Sequence, residues 1–323
     1  MKAWTLHAPG GPQAFTLEEL PLPQAKPDWV RIRIKAFGLN RSEHFTRMGD
    51  SPSVELPRVL GIECVGVVDA APGSDLNPGQ TVAAMMGGMG REFDGSYAEY
   101  TLVPRASVFP LQTTLPWSQL GALPEMLQTC NGSLHIGLGV QSGETLLIRG
   151  GTSSIGLATL AIARSLGVRV WSTSRSQAKV QMLLDAGAER VLIDGGRLLD
   201  SVRELAPGGV DHLLELIGAS TLKDSLQCVR PGGVVCMTGI LGGEWVVPDF
   251  EPMMHIPSGV RLSSYSGGAS DISPEQLQTY VSLVESGELQ IQTGEVWGFD
   301  QLTQAHQAMD ANRSKGKMVV RVP

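Results

Sequence analysis

The chain has 323 residues, which is enough for about two domains of roughly 150 residues each. Its 25 lysine and arginine residues are outnumbered by 32 aspartate and glutamate residues, and the net charge of −7 argues against a nucleic-acid partner, which would favour a basic face. No apolar run approaches the roughly 20 residues that a membrane span needs, so we expect no membrane partner.

The amino terminus and the cysteines together indicate a cytoplasmic protein. Residues 1–11 contain one lysine and lack the apolar segment that a secretory signal requires. The cysteines form no C-x-x-C pair and lack the close, regular spacing of a disulfide framework. We therefore expect buried thiols in a reducing compartment. The cysteines are Cys64, Cys130, Cys228 and Cys236.

The first 120 or so residues are predicted to be rich in β-strands. Short runs of strand-forming residues at 29–39 and 64–71 are separated by proline and glycine turns. Within the first run, VRIRIKA at 30–36 alternates between apolar and basic residues, as expected of a strand with one face in water.

Beyond residue 121 the sequence predicts strands that alternate with helices. This alternation is typical of right-handed βαβ crossovers and of a parallel sheet covered on both faces. The predicted strands cover residues 145–151, 168–175, 190–194, 211–218 and 234–240. The predicted helices cover residues 123–139, 153–167, 176–187, 197–209 and 220–233. Two further helices, at 273–289 and 300–314, and a strand at 316–322 complete the chain.

The segment IRGGTSSIG at residues 148–156 lies between a predicted strand and a predicted helix. Gly151 would allow a tight strand-to-helix turn and Gly156 a close helix–strand contact. Ser153 stands where the middle glycine of a G-x-G-x-x-G dinucleotide motif is expected. The first free N–H groups of the helix would then face an anion. A phosphate-binding turn is therefore predicted, with an ordinary βα turn as the alternative.

The end of the second predicted strand of this region indicates which nucleotide binds. An NAD site needs an acidic residue about 20 residues further on, but the chain offers Ser174, Arg175 and Lys179, with no carboxylate before Asp185. Hydroxyl groups and two cations suit a 2′-phosphate, which arginine can bind in a bidentate manner. We therefore predict NADPH rather than NADH. The alternative is a solvated cluster at a helix start.

Motifs along nearly the whole chain resemble the medium-chain dehydrogenase/reductase superfamily, on its zinc-independent quinone oxidoreductase branch. Besides the glycine-containing segment, they are GLNRSE (38–43), LGIECVGVV (60–68), GSYAEYTLVP (95–104), GALPEMLQT (121–129), LGVRVWSTSRS (166–176), LIGAS (216–220), VRPGGVVCMTGI (229–240) and SKGKMVVRV (314–322).

The resemblance implies an α/β protein of two domains. A GroES-like, β-rich catalytic domain (1–122, completed by 267–323) would clasp a Rossmann domain with a doubly wound parallel sheet (123–266). The active site would lie in the cleft between them. A homodimer is also implied, joined through sheet edges at residues 259–265.

The resemblance also bears on metal binding. Zinc alcohol dehydrogenases of this superfamily place three zinc ligands at positions that here hold Asn40, Ile62 and Glu125. An amide, an aliphatic group and one carboxylate cannot form the three-ligand open site of a catalytic zinc. Residues 85–95 contain no cysteine for a structural zinc lobe. We therefore expect no metal.

Without a metal, the resemblance implies hydride delivery from NADPH to a quinone or an α,β-unsaturated carbonyl. Asn40 matches an asparagine beside the nicotinamide and Ser42 a proton-relay hydroxyl, while His44 could pass a proton on. For Ser42 and His44 the alternative is a purely structural role in the 40–52 loop. Two other functions stay open: an enoyl-thioester reductase, although that loop lacks a tyrosine acid, and a weakly catalytic NADPH-binding sensor or structural protein.

The resemblance implies a set of cofactor-binding residues as well. Ile217 and Gly218 would contact the adenosine ribose, Gly239 and Ile240 would lie beside the nicotinamide, and Lys315 or Arg313 would close over the cofactor. The predicted set comprises Asn40, Thr129, Gly151, Ser153, Ser154, Ile155, Gly156, Ser174, Arg175, Lys179, Ile217, Gly218, Gly239, Ile240 and Lys315.

Overall fold

The structure is a computed structural model that describes residues 1–311, 313 and 316–323. The chain divides into two compact units, each with its own core. Unit 1 consists of residues 1–128, 268–288 and 292–323, and unit 2 of residues 129–267 and 289–291.

The strands of the described residues are β1 (Lys2–Leu6), β2 (Phe15–Glu19), β3 (Trp29–Gly38), β4 (Arg58–Val59), β5 (Glu63–Ala70), β6 (Thr81–Met85), β7 (Tyr100–Pro104), β8 (Val108–Pro110), β9 (Thr145–Arg149), β10 (Arg169–Ser174), β11 (Arg190–Ile193), β12 (Val210–Glu215), β13 (Val229–Met237), β14 (Arg261–Ser264), β15 (Thr293–Gly298) and β16 (Lys317–Arg321). The helices are α1 (Arg41–Met48), α2 (Trp117–Leu120), α3 (Pro124–Gly132), α4 (Ser154–Ser165), α5 (Val180–Asp185), α6 (Leu199–Leu205), α7 (Ala219–Gln227), α8 (Pro252–His255), α9 (Pro274–Ser286) and α10 (Leu302–Asp310).

Unit 1 is built on β-strands, as predicted. Its larger sheet has the order β15-β16-β3-β5-β6-β8, with β7 also paired to β3. The alternation predicted for residues 30–36 is confirmed, because Val30, Ile32 and Ile34 are wholly buried while Arg33 is exposed. β16 pairs antiparallel with β3, and Leu302 of α10 lies in the same core. The carboxyl-terminal segment therefore completes the unit.

Unit 2 contains a parallel sheet with the strand order β11-β10-β9-β12-β13-β14. The chain starts in the middle of the sheet, moves outward to one edge, then returns and moves outward to the other. This is the order of a dinucleotide-binding fold. The helix predicted at 220–233 ends earlier, at Gln227, because Val229 joins the sheet opposite Val210.

The segment 40–52, predicted as a loop, instead begins with helix α1. Asn40 is its N-cap residue, and the carboxylate of Glu43 at the third helical position accepts the N–H of Asn40 at 3.0 Å. Gly49 ends the helix with a φ of 94°, which favours glycine. The N-x-x-E spacing is a helix-start pattern that the prediction overlooked.

Two expectations from the sequence concern membrane-spanning helices and the state of the cysteines. None of the helices in the described part of the chain combines the length and apolar character that a membrane crossing requires. All four cysteines are buried and unpaired.

Candidate functional site

The two central strands of the parallel sheet, β9 and β12, end side by side. Arg149 at the end of β9 is in register with Glu215 at the end of β12. From this point the sheet extends through β10 on one side and β13 on the other. In open α/β sheets such a reversal creates a crevice beyond the carboxyl ends of the strands, and ligands bind there. The predicted cofactor segments 150–156 and 216–218 directly follow these two strands.

The turn after β9 presents backbone donors at the start of α4. Ser153 is the N-cap residue, and its Oγ accepts the N–H of Gly156 at 3.1 Å and donates to the carbonyl of Gly150 at 2.8 Å. The first N–H groups of a helix have no intrahelical partner, and this cap satisfies one of them. The N–H groups of Ser154 and Ile155 remain at the positive end of the helix, where an anion is favoured.

Each glycine of this turn has a different role. Gly150, rather than Gly151, makes the turn, since its φ of 92° lies in the left-handed region. A Cβ on Gly151 would lie 1.8 Å from the hydroxyl of Ser172, so Gly151 is needed for the close approach of β10. A Cβ on Gly156 would lie 2.6 Å from the carbonyl oxygen of Gly150, so the helix start requires glycine there because it packs against the turn itself.

The end of β10 lies beside the turn, and the segment that follows β10 carries two exposed cations. The hydroxyl of Thr173 accepts the N–H of Gly150 at 3.0 Å. Ser174 is buried, and its hydroxyl bonds to the backbone N–H and carbonyl of Ser176 at 3.0 and 2.9 Å. Arg175 and Lys179 are exposed. Ser174 therefore orders this segment, while the two cations are accessible to a phosphate.

The residues predicted to contact the ribose and the nicotinamide come together at the ends of β12 and β13. The buried carboxylate of Glu215 accepts the N–H groups of Ile217 at 2.7 Å and Gly218 at 3.0 Å. Gly218 has a φ of 110°, and a Cβ there would lie 3.2 Å from the carbonyl of Gly239 and from the Cα of Ile240. These four residues thus form one wall of the crevice.

Other predicted cofactor residues lie elsewhere. Thr129 is half-buried on α3, at the start of unit 2. Lys315 lies outside the described residues. Arg313 is exposed, and its N–H donates to the carbonyl of Ala308 at 3.1 Å.

Asn40 belongs to a buried charged cluster in unit 1. Lys317 Nζ lies 2.8 Å from Glu63 Oε1 and 2.8 Å from Glu125 Oε2, and it also donates to Asn40 Oδ1. The Asn40 amide donates to Glu63 at 3.0 Å and to Glu43 at 3.3 Å. The donors and the acceptor of this amide are thereby used within the cluster. Donation from this amide to a substrate beside the nicotinamide would require one of these bonds to open.

Burial governs the protonation of this cluster. It raises the pKa of Glu43 to about 7, although the N–H groups of Ile62 and Asn40 donate to the carboxylate at 3.0 Å. It also raises the pKa of Glu63, which the charge of Lys317 opposes. Burial lowers the pKa of Lys317, but Glu125 and Glu63 outweigh it and hold that pKa above its ordinary value. Lys317 is therefore charged at neutral pH.

The side chains of Ser42 and His44 point to different partners. Ser42 Oγ accepts a hydrogen bond from Arg91 Nη2 at 2.9 Å. His44 Nδ1 lies 2.9 Å from Asp310, whose carboxylate also accepts two bonds from Arg47 at 2.7 and 2.8 Å. Burial lowers the pKa of His44, although Asp310 opposes this shift. The described contacts therefore do not join Ser42 and His44 in a relay.

Sequence reasoning missed one buried cation in each of the two units. Lys317 and Arg149 stand at the ends of apolar strand runs, at the start of β16 and the end of β9. A lone cation there indicates a buried partner, since such residues are almost never fully buried unless they are paired. The partners themselves come from distant segments, and the sequence does not show them.

Comparison with known proteins agrees with this architecture. Residues 26–113 match the family described as "Alcohol dehydrogenase GroES-like domain", and residues 186–320 match "Zinc-binding dehydrogenase". The quinone oxidoreductase of Rattus norvegicus is 27% identical over 98% of this chain and 96% of its own length. The chain belongs to the medium-chain dehydrogenase/reductase superfamily. Within it, the chain lies on the quinone oxidoreductase-like branch and is an oxidoreductase.

Solved structures show the same fold over the whole chain. A structure described as "NAD-dependent alcohol dehydrogenase" is 26% identical, with a TM-score of 0.87 and coverage of 100% of both chains. The quinone oxidoreductase of Escherichia coli, complexed with NADPH, is 19% identical and has a TM-score of 0.87, with coverage of 99% of this chain and 100% of that chain. The predicted fold of this medium-chain dehydrogenase/reductase is confirmed: unit 1 is GroES-like and unit 2 is of the Rossmann type.

Proposed function

We propose that this medium-chain dehydrogenase/reductase transfers hydride from NADPH to a quinone or an α,β-unsaturated carbonyl. The observation that carries the proposal is the presence, beside a turn with free helix N–H groups, of two exposed cations in the segment after β10, Arg175 and Lys179. Solved structures of this fold are described with different nucleotides, so the choice between them rests on this chain's own residues.

The residues present fit a nicotinamide dinucleotide. The N–H groups of Ser154 and Ile155 would hold its pyrophosphate. Arg175 and Lys179 would hold its 2′-phosphate, since residues 175–179 include no carboxylate to accept ribose hydroxyl groups. The wall formed by Ile217, Gly218, Gly239 and Ile240 would orient the rest. When bound, NADPH supplies the hydride, and this chain supplies binding and orientation.

We further propose that the reaction needs no zinc. Among the described residues, no group of three His, Cys, Asp or Glu side chains could hold a metal ion. Where zinc relatives have ligands, Ile62 is aliphatic, and Asn40 and Glu125 are both bonded to Lys317. The ammonium group of Lys317 therefore meets the charge of the Glu125 carboxylate from within the chain. Quinones and enones suit such a site because they spread the incoming charge onto their own oxygen.

A homodimer joined at the β14 edge is part of this proposal, as is a cytoplasmic location. β14 is an outer strand of the parallel sheet, and unpaired outer strands are prone to pair with another chain. The cytoplasmic location is supported by the four cysteines, which are buried and unpaired as expected in a reducing compartment. Leu262, which lies on β14 itself, has an exposed apolar side chain. Sedimentation of the wild type as a dimer, and of Leu262→Lys as a monomer, would support the interface. A wild-type monomer would contradict it.

The function is tested by steady-state oxidation of NADPH with a panel of quinones, enones and enoyl thioesters. We expect turnover with quinones or enones, and elemental analysis without stoichiometric zinc. Turnover confined to enoyl thioesters would instead favour the enoyl-thioester reductase. Tight NADPH binding with no turnover on any acceptor would favour a sensor or structural protein.

A further inference from the structure

A buried ion network lies at the carboxyl edge of the parallel sheet. The side chain of Arg149 is wholly buried, and its Nε and Nη2 donate to the two carboxylate oxygens of Asp194 at 2.8 and 2.9 Å. Its Nη1 donates to Asp224 at 2.8 Å and to the hydroxyl of Ser225 at 3.0 Å. The two-pronged contact with Asp194 is the strongest geometry available to an arginine and a carboxylate.

Asp194 lies beside the predicted 2′-phosphate site. It directly follows β11, and its N–H donates to the carbonyl of Ser174 at 2.9 Å, one residue before Arg175. Burial raises the pKa of Asp194, but the pairing with Arg149 lowers it overall, and Arg175 is close enough to add to the lowering. A negative charge thus stands next to the cation proposed to bind the phosphate.

An uncompensated carboxylate at this position would act against NADPH in two ways. It would attract Arg175 into an ion pair, and it would repel a phosphate that carries about two negative charges. Arg149 prevents both, because it bonds to both oxygens of Asp194, and the N–H of Gly196 adds a third bond at 2.9 Å. Arg175 is accordingly exposed and forms no ion pair within the described part of the chain.

We propose that Arg149 is a positioning residue for nucleotide selectivity: by holding and neutralising Asp194, it keeps Arg175 available for a 2′-phosphate. This inference rests on the proposed preference for NADPH. It assigns Arg149 a part in selectivity although its buried guanidinium touches Asp194 rather than the nucleotide.

The test compares two nucleotide fragments, 2′,5′-ADP and ADP, whose binding is measured by calorimetry and needs no turnover. Wild type is expected to prefer 2′,5′-ADP. Arg149→Met is expected to lower that preference about tenfold, the effect of one unscreened charge near a phosphate. The double variant R149M/D194N is expected to restore it, since the carboxylate is then absent.

Other outcomes separate the inference from the function on which it rests. Equal binding of the two fragments by wild type would contradict the proposed NADPH preference. A wild-type preference that R149M and R149M/D194N lose equally would overturn the inference, because Arg149 would then act only through folding. The matched control is Arg230→Met, which removes another arginine–aspartate pair, with Asp211 at 2.6 Å near the start of β12. It should leave the preference unchanged.

Arg149→Met leaves buried carboxylates without their cation, so a second variant is needed in case it does not fold. Asp194→Asn in the wild-type background covers that case, since Arg149 keeps Asp224 as its partner. We expect Asp194→Asn to bind ADP as tightly as wild type does, and to keep or increase the preference by binding 2′,5′-ADP at least as tightly. A weaker binding of ADP in this variant would instead show that Asp194 itself contacts the ribose, and it would overturn the inference.

Discussion

Lys317 Nζ and Glu63 Oε1 lie 2.8 Å apart in the core of unit 1, where 3% and 0% of their side chains are exposed. Lys317 begins β16 near the end of the chain, and Glu63 begins β5. The pair therefore ties the carboxyl-terminal segment to the first part of the GroES-like unit. Removal of one partner from such a pair costs more than the pair contributes, because the other charge stays buried.

Lys317→Met is accordingly expected to destabilise the protein by about 3–5 kcal/mol, since Glu63 and Glu125 lose their common cation. Urea unfolding followed by tryptophan fluorescence measures this loss. The double variant K317M/E63Q should recover part of it, because one buried charge is then removed. A loss below about 1 kcal/mol in Lys317→Met would show that the carboxylates find another cation or become protonated at little cost.

Glu43 predicts a pH dependence of stability. Burial raises the pKa of Glu43 in the folded protein to about 7, from 4.5 for an exposed glutamate. The folded state therefore holds the proton more tightly than the unfolded state, so the stabilising contribution is complete below pH 4.5 and is lost as pH rises towards 7. This shift of the pKa corresponds to a loss on the order of 3 kcal/mol in the free energy of unfolding.

Glu43→Gln is expected to remove this loss, so that the free energy of unfolding changes less between these pH values than in wild type. The absolute stability of the variant should fall, because both carboxylate oxygens of Glu43 accept N–H groups that a side-chain amide cannot all satisfy. Wild type and variant must be compared at each pH, because buried His306 also makes the stability depend on pH. Its pKa is lowered to about 3, so its contribution to stability changes with pH in the opposite direction. Parallel curves would show that Glu43 stays ionised.

Ser153 should act on stability more than on cofactor binding. Its hydroxyl caps α4 through Gly156 and bonds to Gly150, so both of its hydrogen bonds are internal to the turn. We expect Ser153→Ala to cost about 1 kcal/mol and Ser153→Gly only a few tenths, as at other N-caps. Thermal unfolding checks both values. A tenfold rise in the KM for NADPH in Ser153→Gly would show that the hydroxyl contacts the pyrophosphate instead.

The predicted relay through Ser42 and His44 can be tested separately. Because these side chains bond to Arg91 and Asp310, we expect Ser42→Ala and His44→Asn to keep kcat within about twofold. Asp310→Asn should reduce stability, since fully buried Arg47 loses its carboxylate partner. The pH profile of kcat decides the question. If His44→Asn removes an ionisation from that profile, the relay exists despite the contacts described.

The sequence was sufficient to predict those features of the fold that depend on local residue patterns. The βαβ alternation predicts the strands and helices of unit 2, and the alternation in β3 predicts its buried face, because both follow from periodicity. Helix α1 carries the same kind of signal in Asn40, Glu43 and Gly49, which the prediction overlooked. The contacts of Asn40 with Lys317 and of Arg149 with Asp194 could not be predicted, since they join residues far apart in the chain and depend on tertiary packing.

Nucleotide choice gives the most direct prediction. Arg175→Ala is expected to raise the KM for NADPH by tenfold or more, since a hydrogen bond to a charged group contributes about 1.5–3 kcal/mol, while the KM for NADH should change little. Lys179→Ala should have a smaller effect in the same direction. The matched control is Arg169→Ala, an exposed arginine at the opposite end of β10, roughly 20 Å from the phosphate site. Steady-state kinetics with both nucleotides measures the selectivity, and an Arg175→Ala enzyme with an unchanged ratio of the two KM values would mean that the 2′-phosphate binds elsewhere.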